Sequence, residues 1–596
     1  MQSGKSLKVL LTVHQFFPEY FSGTEVLTYS VAKELKRRGH DVYVFTGFPA
    51  RTHMPEDERF DEYDIEGIHV FRFHHAYIPM GGQSSVTEVE YDSHLTARYF
   101  TRLLRDLKPD IVHFFHLSRL GVGLIDAAVN AGIPAYYTPT DFWSVCPTSQ
   151  LLLKDGSVCA GPSRFGGNCV KHVAELTRGP AVKRVSKLVP TFAVDAVAGL
   201  TEKGYLPSYP LSIEVAAMAR RRPFNVSRLN WLNGIVSPTR LMTDVLTRNG
   251  VDEKLIVESA YGIDIAAGEV QITRREDGKR LTIGFVGTLA QHKGCHVLIE
   301  AFRKLNPAFA QLKIYGNPSD FPDYFTRLKV LAADAENIEF CGTFPNAQVA
   351  TVMKGLDALV VPSLWYENTP LVVYSALAAK RPVVVSNFSG LVEVVKEGRN
   401  GLVFTPGDVD ALASQLRRLI EEPALLESLS VNCKKPKSSV EYVDELLALY
   451  ARGMPQSVES RSINSQARTF VPLEDTRKLG FITGWVVVEQ SPPVSIEVVA
   501  GHEVIAQTAQ FLPRPDVRDG LSRGGVNTGS AQLGFAIRLA QPFDRDDLKL
   551  RVRAQSGARR EFALSEVAVG SSISSGPGSL IGIDSERQPQ TEDQAA

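Results

Sequence analysis

Disulfide frameworks, membrane spans and dinucleotide fingerprints are all missing from this sequence, and each absence narrows the reading. Six cysteines in 596 residues are too few to staple a small secreted fold. No window approaches the roughly 20 apolar residues of a membrane span. The opening "MQSGKSLKVLLTV" has too short an apolar stretch and no cleavage pattern for a signal peptide, so a cytoplasmic protein is expected. Charge of one sign is absent too: a formal net charge of -1 leaves no footprint for nucleic acid. Neither G-x-G-x-x-G nor G-x-x-x-x-G-K-[ST] occurs, which counts against a dinucleotide oxidoreductase and a P-loop NTPase.

What is present is alternation. From residue 7 to about 450, β-rich runs such as "LKVLLTV", "DVYVFTG" and "PDIVHFF" alternate with helix-period segments, which predicts βαβ units and parallel sheets. The pattern restarts after the polar break "ITRREDGKR" with "LTIGFVG", "QLKIYG", "DALVVPS" and "RPVVVSN". Two tandem doubly wound α/β domains are expected, at 1–240 and 241–435, followed by a closing helix at 436–453 that returns to the first. A polar linker (454–469) leads to an all-β sandwich (470–569) of Gly/Pro/Asp-punctuated strands, and a Ser/Gly/Gln-rich tail (570–596) reads as disordered.

Open α/β sheets bind ligands at the carboxyl ends of their strands. Three loops qualify: "FFPEYFSGTE", "GTLAQHKG" and "LWYENTPLVV". In the second, Gly287 is expected to give a tight turn, and Lys293 precedes a helix start at Gly294, where a cation and helix N–H groups favour phosphate. In the third, Glu367 stands ahead of Asn368 and Thr369, and Pro370 fits a first helical turn that leaves the N–H groups of Leu371 and Val372 free. No DxD-like acidic pair stands in a matching loop.

The runs "GFVGTLAQHKGCHVLIEAF", "WYENTPLVVYSALAAKRPVVVSNFSGLVEVV" and "GRNGLVFTPGDVDALASQL" resemble the donor half of retaining glycosyltransferases of family 4, which have the GT-B fold of two Rossmann-like domains. The N-terminal "FFPEYFSGTEVLTYSVAKELKRRGHDVYVFTG" is similar to that family's opening strand, glycine loop and helix, and the resemblance covers residues 7 to about 453. It implies that Lys293 contacts a donor diphosphate, with backbone donors at Pro370, Leu371 and Val372. By the same resemblance Glu367 lies against the donor sugar as the first glutamate of an E-x7-E pair. Gly23 lets the first loop approach both substrates, and Asp141 matches the aspartate of a His-Asp pair. It further implies transfer from a nucleotide-diphosphate sugar to a saccharide or lipid-linked saccharide, in surface polysaccharide assembly. No catalytic cofactor is implied, and the lipid-linked acceptor allows peripheral contact with the inner membrane surface.

Three positions depart from the family. Ser375 stands where the second glutamate binds ribose, Thr288 where many members place an arginine, and Thr140 where a histidine often faces the sugar. Each swap removes a charge or a strong hydrogen-bonding group. They motivate an alternative: a catalytically degenerate body acting as a glycan-binding or scaffolding protein.

Some features stand outside that pattern. Cys146, Cys159, Cys169 and His172 offer three sulfurs and an imidazole, a complete set for a structural zinc, though a bridge or free buried thiols fit the loose spacing as well. "KELKRRGHD" and "ARRRPF" read as solvated charge runs, with anionic lipid and an anionic acceptor as their functional counterparts. Phe481, Trp485 and Phe535 in the β segment read as core aromatics before sugar-stacking platforms.

Overall fold

The structure, a computed structural model, describes residues 6–50, 54–177, 188–264, 271–274, 278–345, 348–368 and 371–453, and chiefly strand residues between 469 and 563. The chain divides into two units, Met1–Met454 and Pro455–Ala596.

The first unit holds two sheets. One contains β1 (Lys8–Val13), β2 (Asp41–Pro49), β3 (Phe60–Ile65), β4 (Ile68–His75), β5 (Ile111–Phe114), β6 (Ala135–Tyr137), β7 (Gly234–Ser237) and β8 (Ile256–Glu258), in the order β3-β4-β2-β1-β5-β6-β7-β8. All pairings are parallel except β3 against β4. The other contains β9 (Leu281–Val286), β10 (Ala310–Tyr315), β11 (Ile338–Gly342), β12 (Ala358–Val361), β13 (Val383–Ser386) and β14 (Gly401–Phe404), wholly parallel in the order β11-β10-β9-β12-β13-β14. These are the two expected doubly wound domains. Strands such as β5, β12 and β13 are buried along their whole length because helices cover both faces, which is why they read as unbroken apolar runs.

The boundary expected at residue 240 is too early. β8 pairs with β7 through Ile235 opposite Ile256, so the first sheet closes only at residue 258. Its short "IVE" strand was hidden behind the helix Arg240–Arg248. Helix Ser439–Gly453 buries Tyr442, Val443, Leu446 and Tyr450 in the apolar cluster beneath β1 and β2. Tyr450 and Tyr442 also hydrogen-bond His113 and Thr138 of the first half, at 2.6 Å and 3.3 Å. A helix at the end of the second half is thereby built into the core of the first.

In the second unit the strands are antiparallel. Of two four-stranded sheets the first runs Leu473–Glu474, Phe481–Trp485, Gln532–Arg538, Leu512–Pro513 and the second Glu503–Thr508, Pro493–Ala500, Leu548–Ala554, Arg559–Ala563, and Thr469–Phe470 pairs separately with Val487–Val488. Phe535 and Ile537 of the first share one apolar cluster with Ile496, Val498 and Leu550 of the second. Trp485 and Phe535 are buried, as core aromatics should be. The Phe481 side chain, residues 454–468 of the expected linker and the tail 570–596 lie outside the described residues.

Candidate active site

Each sheet has a point where strand order reverses: between β1 and β5 in the first, between β9 and β12 in the second. Loops diverge there and leave a crevice at the strands' carboxyl ends.

In the second sheet, the loop after β9 carries Lys293 and the loop after β12 carries Glu367. Lys293 Nζ donates to Glu367 Oε1 at 2.7 Å, and the same oxygen accepts from Ser363 Oγ at 2.6 Å and Trp365 Nε1 at 2.9 Å. Burial would raise the Glu367 carboxyl, but the Lys293 charge and these donors hold it below the usual carboxylate value. Lys293 also lies over the Trp365 ring, 4.9 Å from its centre. His292, on the same turn, packs edge-on to Trp365, and its pKa is pushed down to about 4 by burial and by Lys293.

Two glycines hold these loops together. Gly294 has φ +73°, and a Cβ there would sit 1.8 Å from the Pro362 carbonyl oxygen, so only glycine lets the Lys293 turn lie on the end of β12. A Cβ on Gly390 would sit 1.8 Å from the Glu367 carbonyl oxygen. Gly287 lies at the bend that follows β9 and has ordinary space around it, its nearest Cβ contact being 3.7 Å. The constraint lies seven residues further on.

In the first sheet, His14 follows β1, His116 follows β5 and Asp141 follows β6. Ser118 N–H donates to His116 Nδ1 at 3.1 Å, which leaves the proton on Nε2 to be donated to Asp141 Oδ2 at 2.9 Å. Asp141 Oδ1 accepts the Trp143 N–H at 2.8 Å. The His14 and His116 rings lie 4.1 Å apart, and His14 Nε2 stands 3.8 Å from the buried Glu25 carboxylate. Burial, with the nearby Arg119 charge, keeps His14 neutral, and burial raises the Glu25 carboxyl.

Behind Asp141 the "ARRRPF" run departs from a solvated patch. Arg221 is buried, donates to the Trp143 carbonyl at 2.7 Å and lies 3.4 Å from Glu90, which also accepts from Trp143 Nε1. The arginine braces the Asp141 loop.

Asn368 joins the two crevices. Its Nδ2 lies 3.4 Å from the Pro139 carbonyl and 3.3 Å from the Tyr261 hydroxyl, and its Oδ1 accepts from Thr239 at 3.1 Å. Gly23, at the start of helix Gly23–Arg37, faces Leu371, at the start of helix Leu371–Ala378, with 3.6 Å from a built Cβ to Leu371 Cδ1. Gly23, Asp141, Lys293, Glu367, Asn368, Leu371 and Val372 thus gather where the two sheets' loops meet. Thr369 and Pro370 lie outside the described residues.

The three departures behave differently. Ser375 is buried and its hydroxyl donates to the Leu371 carbonyl of its own helix at 3.1 Å, so it is turned away from the crevice. Thr288 is exposed. Thr140 donates to the Phe115 carbonyl at 3.3 Å, and the histidine that pairs with Asp141 comes instead from the loop after the neighbouring strand, as His116. Sequence reasoning missed His14, Glu25, His116, Trp365 and Ser363. The signal available for the first and third was a histidine within two residues of the end of a buried strand.

Cys146, Cys159, Cys169 and His172 do line one cavity. All six cysteines are free, and among the described residues no three His, Cys, Asp or Glu side chains form a group that could hold a metal ion. The thiols are otherwise engaged: Cys146 Sγ lies 3.3 Å from Thr148 Oγ1, and Cys159 Sγ accepts the Gly161 N–H at 3.4 Å. Burial pushes the Cys169 thiol up to about 12.

Comparison with known proteins agrees with this arrangement. The family described as "Glycosyl transferases group 1" matches residues 270–436, and "Glycosyltransferase Family 4" matches residues 21–155. A glycogen synthase of Mycobacterium tuberculosis is 30% identical over 208 residues, 33% of this chain and 48% of that protein. A D-inositol 3-phosphate glycosyltransferase of Mycolicibacterium smegmatis is 30% identical over 177 residues, 29% of this chain and 40% of that protein. The chain therefore spans under half the length of these relatives. Among solved structures, Anabaena HepE in complex with UDP and glucose aligns with 75% of this chain and 99% of its own, at 15% identity and a TM-score of 0.49. With one glycosyltransferase family match in each half, the two parallel sheets make up the GT-B fold of two Rossmann-like domains.

Proposed function

We propose that the protein transfers a sugar from a nucleotide-diphosphate sugar to a saccharide or lipid-linked saccharide, in the cytoplasm, as a step of surface polysaccharide assembly. The observation that carries this reading is the Lys293–Glu367 pair at the second switch point, beside the start of helix Leu371–Ala378. An incoming diphosphate competes for the Lys293 ammonium, and Glu367 remains held by Ser363 and Trp365 when the lysine turns to phosphate. Lysine and helix N–H groups then stabilise the charge that develops on the departing phosphate, so no metal is required. Asp141, fixed by His116 and the Trp143 N–H, faces the sugar and acceptor side. Attack on the same face as the leaving phosphate gives retention. The named relatives are sugar-transferring enzymes, which supports the class of reaction and leaves sugar, base and acceptor open.

A second reading, a glycan-binding or scaffolding protein on a degenerate body, is favoured by one observation: Ser375 offers ribose no free hydroxyl. Thermal stabilisation by a panel of nucleotide sugars, followed by a hydrolysis and transfer assay on those that bind, separates the two. Stabilisation and turnover by at least one nucleotide sugar supports the transferase; binding of glycan with no nucleotide sugar bound or consumed supports the scaffold. The anomeric configuration of the product tests retention.

A further inference from the structure

Between β6 and β7 the first half carries a helical insert, Gly167–Thr177, Thr191–Glu202 and Ser212–Leu229, whose outer surface is the reverse of an ordinary one. Helix Thr191–Glu202 carries two acids, Glu202 at its end and Asp195, which turns inward: Asp195 Oδ1 accepts from Ser163 Oγ at 2.6 Å and from the Phe165 and Gly167 N–H groups at 2.9 Å each. Its other face carries Phe192, Val197 and Leu200, exposed to 77%, 43% and 42%. Leu188, Tyr205 and Ile213, exposed to 82%, 71% and 54%, lie on the adjoining chain. Of the seventeen large apolar side chains exposed among the described residues, eight fall between Leu176 and Ile213. Surface apolar residues scattered singly need no explanation, but a helix that hides Asp195 and exposes its apolar arc does.

Basic side chains stand beside this face, with Glu175 and Glu202 as the half-buried acids of helices Gly167–Thr177 and Thr191–Glu202. Arg164 and Lys203 both stand over the Phe165 ring, 5.4 Å and 5.7 Å from its centre, and that ring packs under Gly199 of the helix. Arg222 donates to the Arg164 carbonyl at 2.8 Å, and Lys171 to the Val189 carbonyl at 2.8 Å. As sequence alone, residues 176–194 contain no acid and add Arg178, Lys183, Arg184 and Lys187. The basic helix end "KELKRRGHD" is not such a surface, because Arg37 and Arg38 are spent on Glu34 at 2.7 Å each and Arg38 on the Val440 carbonyl at 2.8 Å.

We propose that this insert docks the protein on an anionic lipid surface, the apolar arc of Thr191–Glu202 entering the headgroup boundary and Arg164, Lys203 and Arg222 meeting lipid phosphates. Apolar burial and cation–anion attraction together set the strength of such binding. The surface uses neither Lys293 nor Glu367, so the proposal does not depend on the donor reading.

The test is sedimentation of the full-length protein with phosphatidylcholine vesicles, with and without phosphatidylglycerol. The wild type is expected to bind the anionic vesicles, with affinity falling as salt rises. Phe192→Ser with Leu200→Ser is expected to lower partition by about tenfold or more, with thermal stability unchanged because both side chains are exposed. Arg164→Gln with Lys203→Gln is expected to reduce the preference for phosphatidylglycerol. No partition to either vesicle, or equal partition of wild type and the serine variant, overturns the proposal. So does a wild-type dimer that the serine variant converts to monomer, since a second copy then covers the arc.

Discussion

Lys293 and Glu367 form an ion pair that is short, buried on the carboxylate side and shared with two neutral donors. If Lys293 supplies charge to a departing phosphate, Lys293→Ala lowers kcat by about 100-fold to 1000-fold, the loss seen when one preorganised donor is removed. Steady-state donor turnover by the variant measures it, and an effect below about threefold removes the lysine from the chemistry. Ser375 carries the opposite expectation. Its hydroxyl closes onto Leu371 within the helix, so Ser375→Ala leaves donor affinity within about twofold of wild type, the loss being one exposed-energy-scale hydrogen bond to its own backbone. Titration calorimetry with the donor decides, and a tenfold weakening would return the serine to the ribose. Both glutamate and lysine were legible from residue type and position in a strand-exit loop; His116 was not, since its partner Asp141 is 25 residues away in sequence and meets it only because β5 and β6 are neighbours.

At the scale of elements, the turn Gln291–Lys293 and the loop after β12 are fixed against each other by Gly294. Alanine there would need φ +73° and would collide with the Pro362 carbonyl, so Gly294→Ala destabilises by more than about 1 kcal/mol and weakens donor binding together with stability. Urea unfolding and donor titration of the same variant check both. The loop from Cys146 to His172 is the other element that decides something. Structural zinc there is a proposal that its ligand types motivate; Cys146 and Cys159 would have to leave their present partners and turn, with Cys169 and His172, into the shared cavity. Metal analysis of the purified protein is decisive: one equivalent of zinc supports the site, and none ends it. Element types were readable because strands buried on both faces are unbroken apolar runs, whereas the three-residue β8 carries too little pattern to be seen.

Across the whole first unit, the helix Ser439–Gly453 ties the end of the second half into the first, and the buried His113–Tyr450 contact lies at that tie. Burial holds His113 at about 3, and burial with the Arg119 charge holds His75 at about 3. Both values lie below the roughly 6.5 of an unfolded histidine, so the unfolded chain binds more protons in between. Stability is complete above about pH 6.5 and is lost progressively as pH falls toward about 3. The urea midpoint is expected to fall between about pH 7 and pH 5, and to fall less in His113→Gln. An equal fall in both proteins would show that His113 does not carry the acid sensitivity.

By itself the sequence determined the fold class, the two α/β halves and the loops that leave the strands' carboxyl ends, because hydrophobic period and glycine or proline punctuation are local signals. Family resemblance sharpened these to Lys293 and Glu367. Only the tertiary structure decided what those residues touch. It put a steric constraint on Gly294, turned Ser375 into its own helix, supplied His116 to Asp141 from the loop after a neighbouring strand and left the arc of Phe192, Val197 and Leu200 uncovered. Each of these depends on which strands lie side by side and which helix face meets a neighbour. Such contacts join residues far apart in the chain, and no local pattern records them.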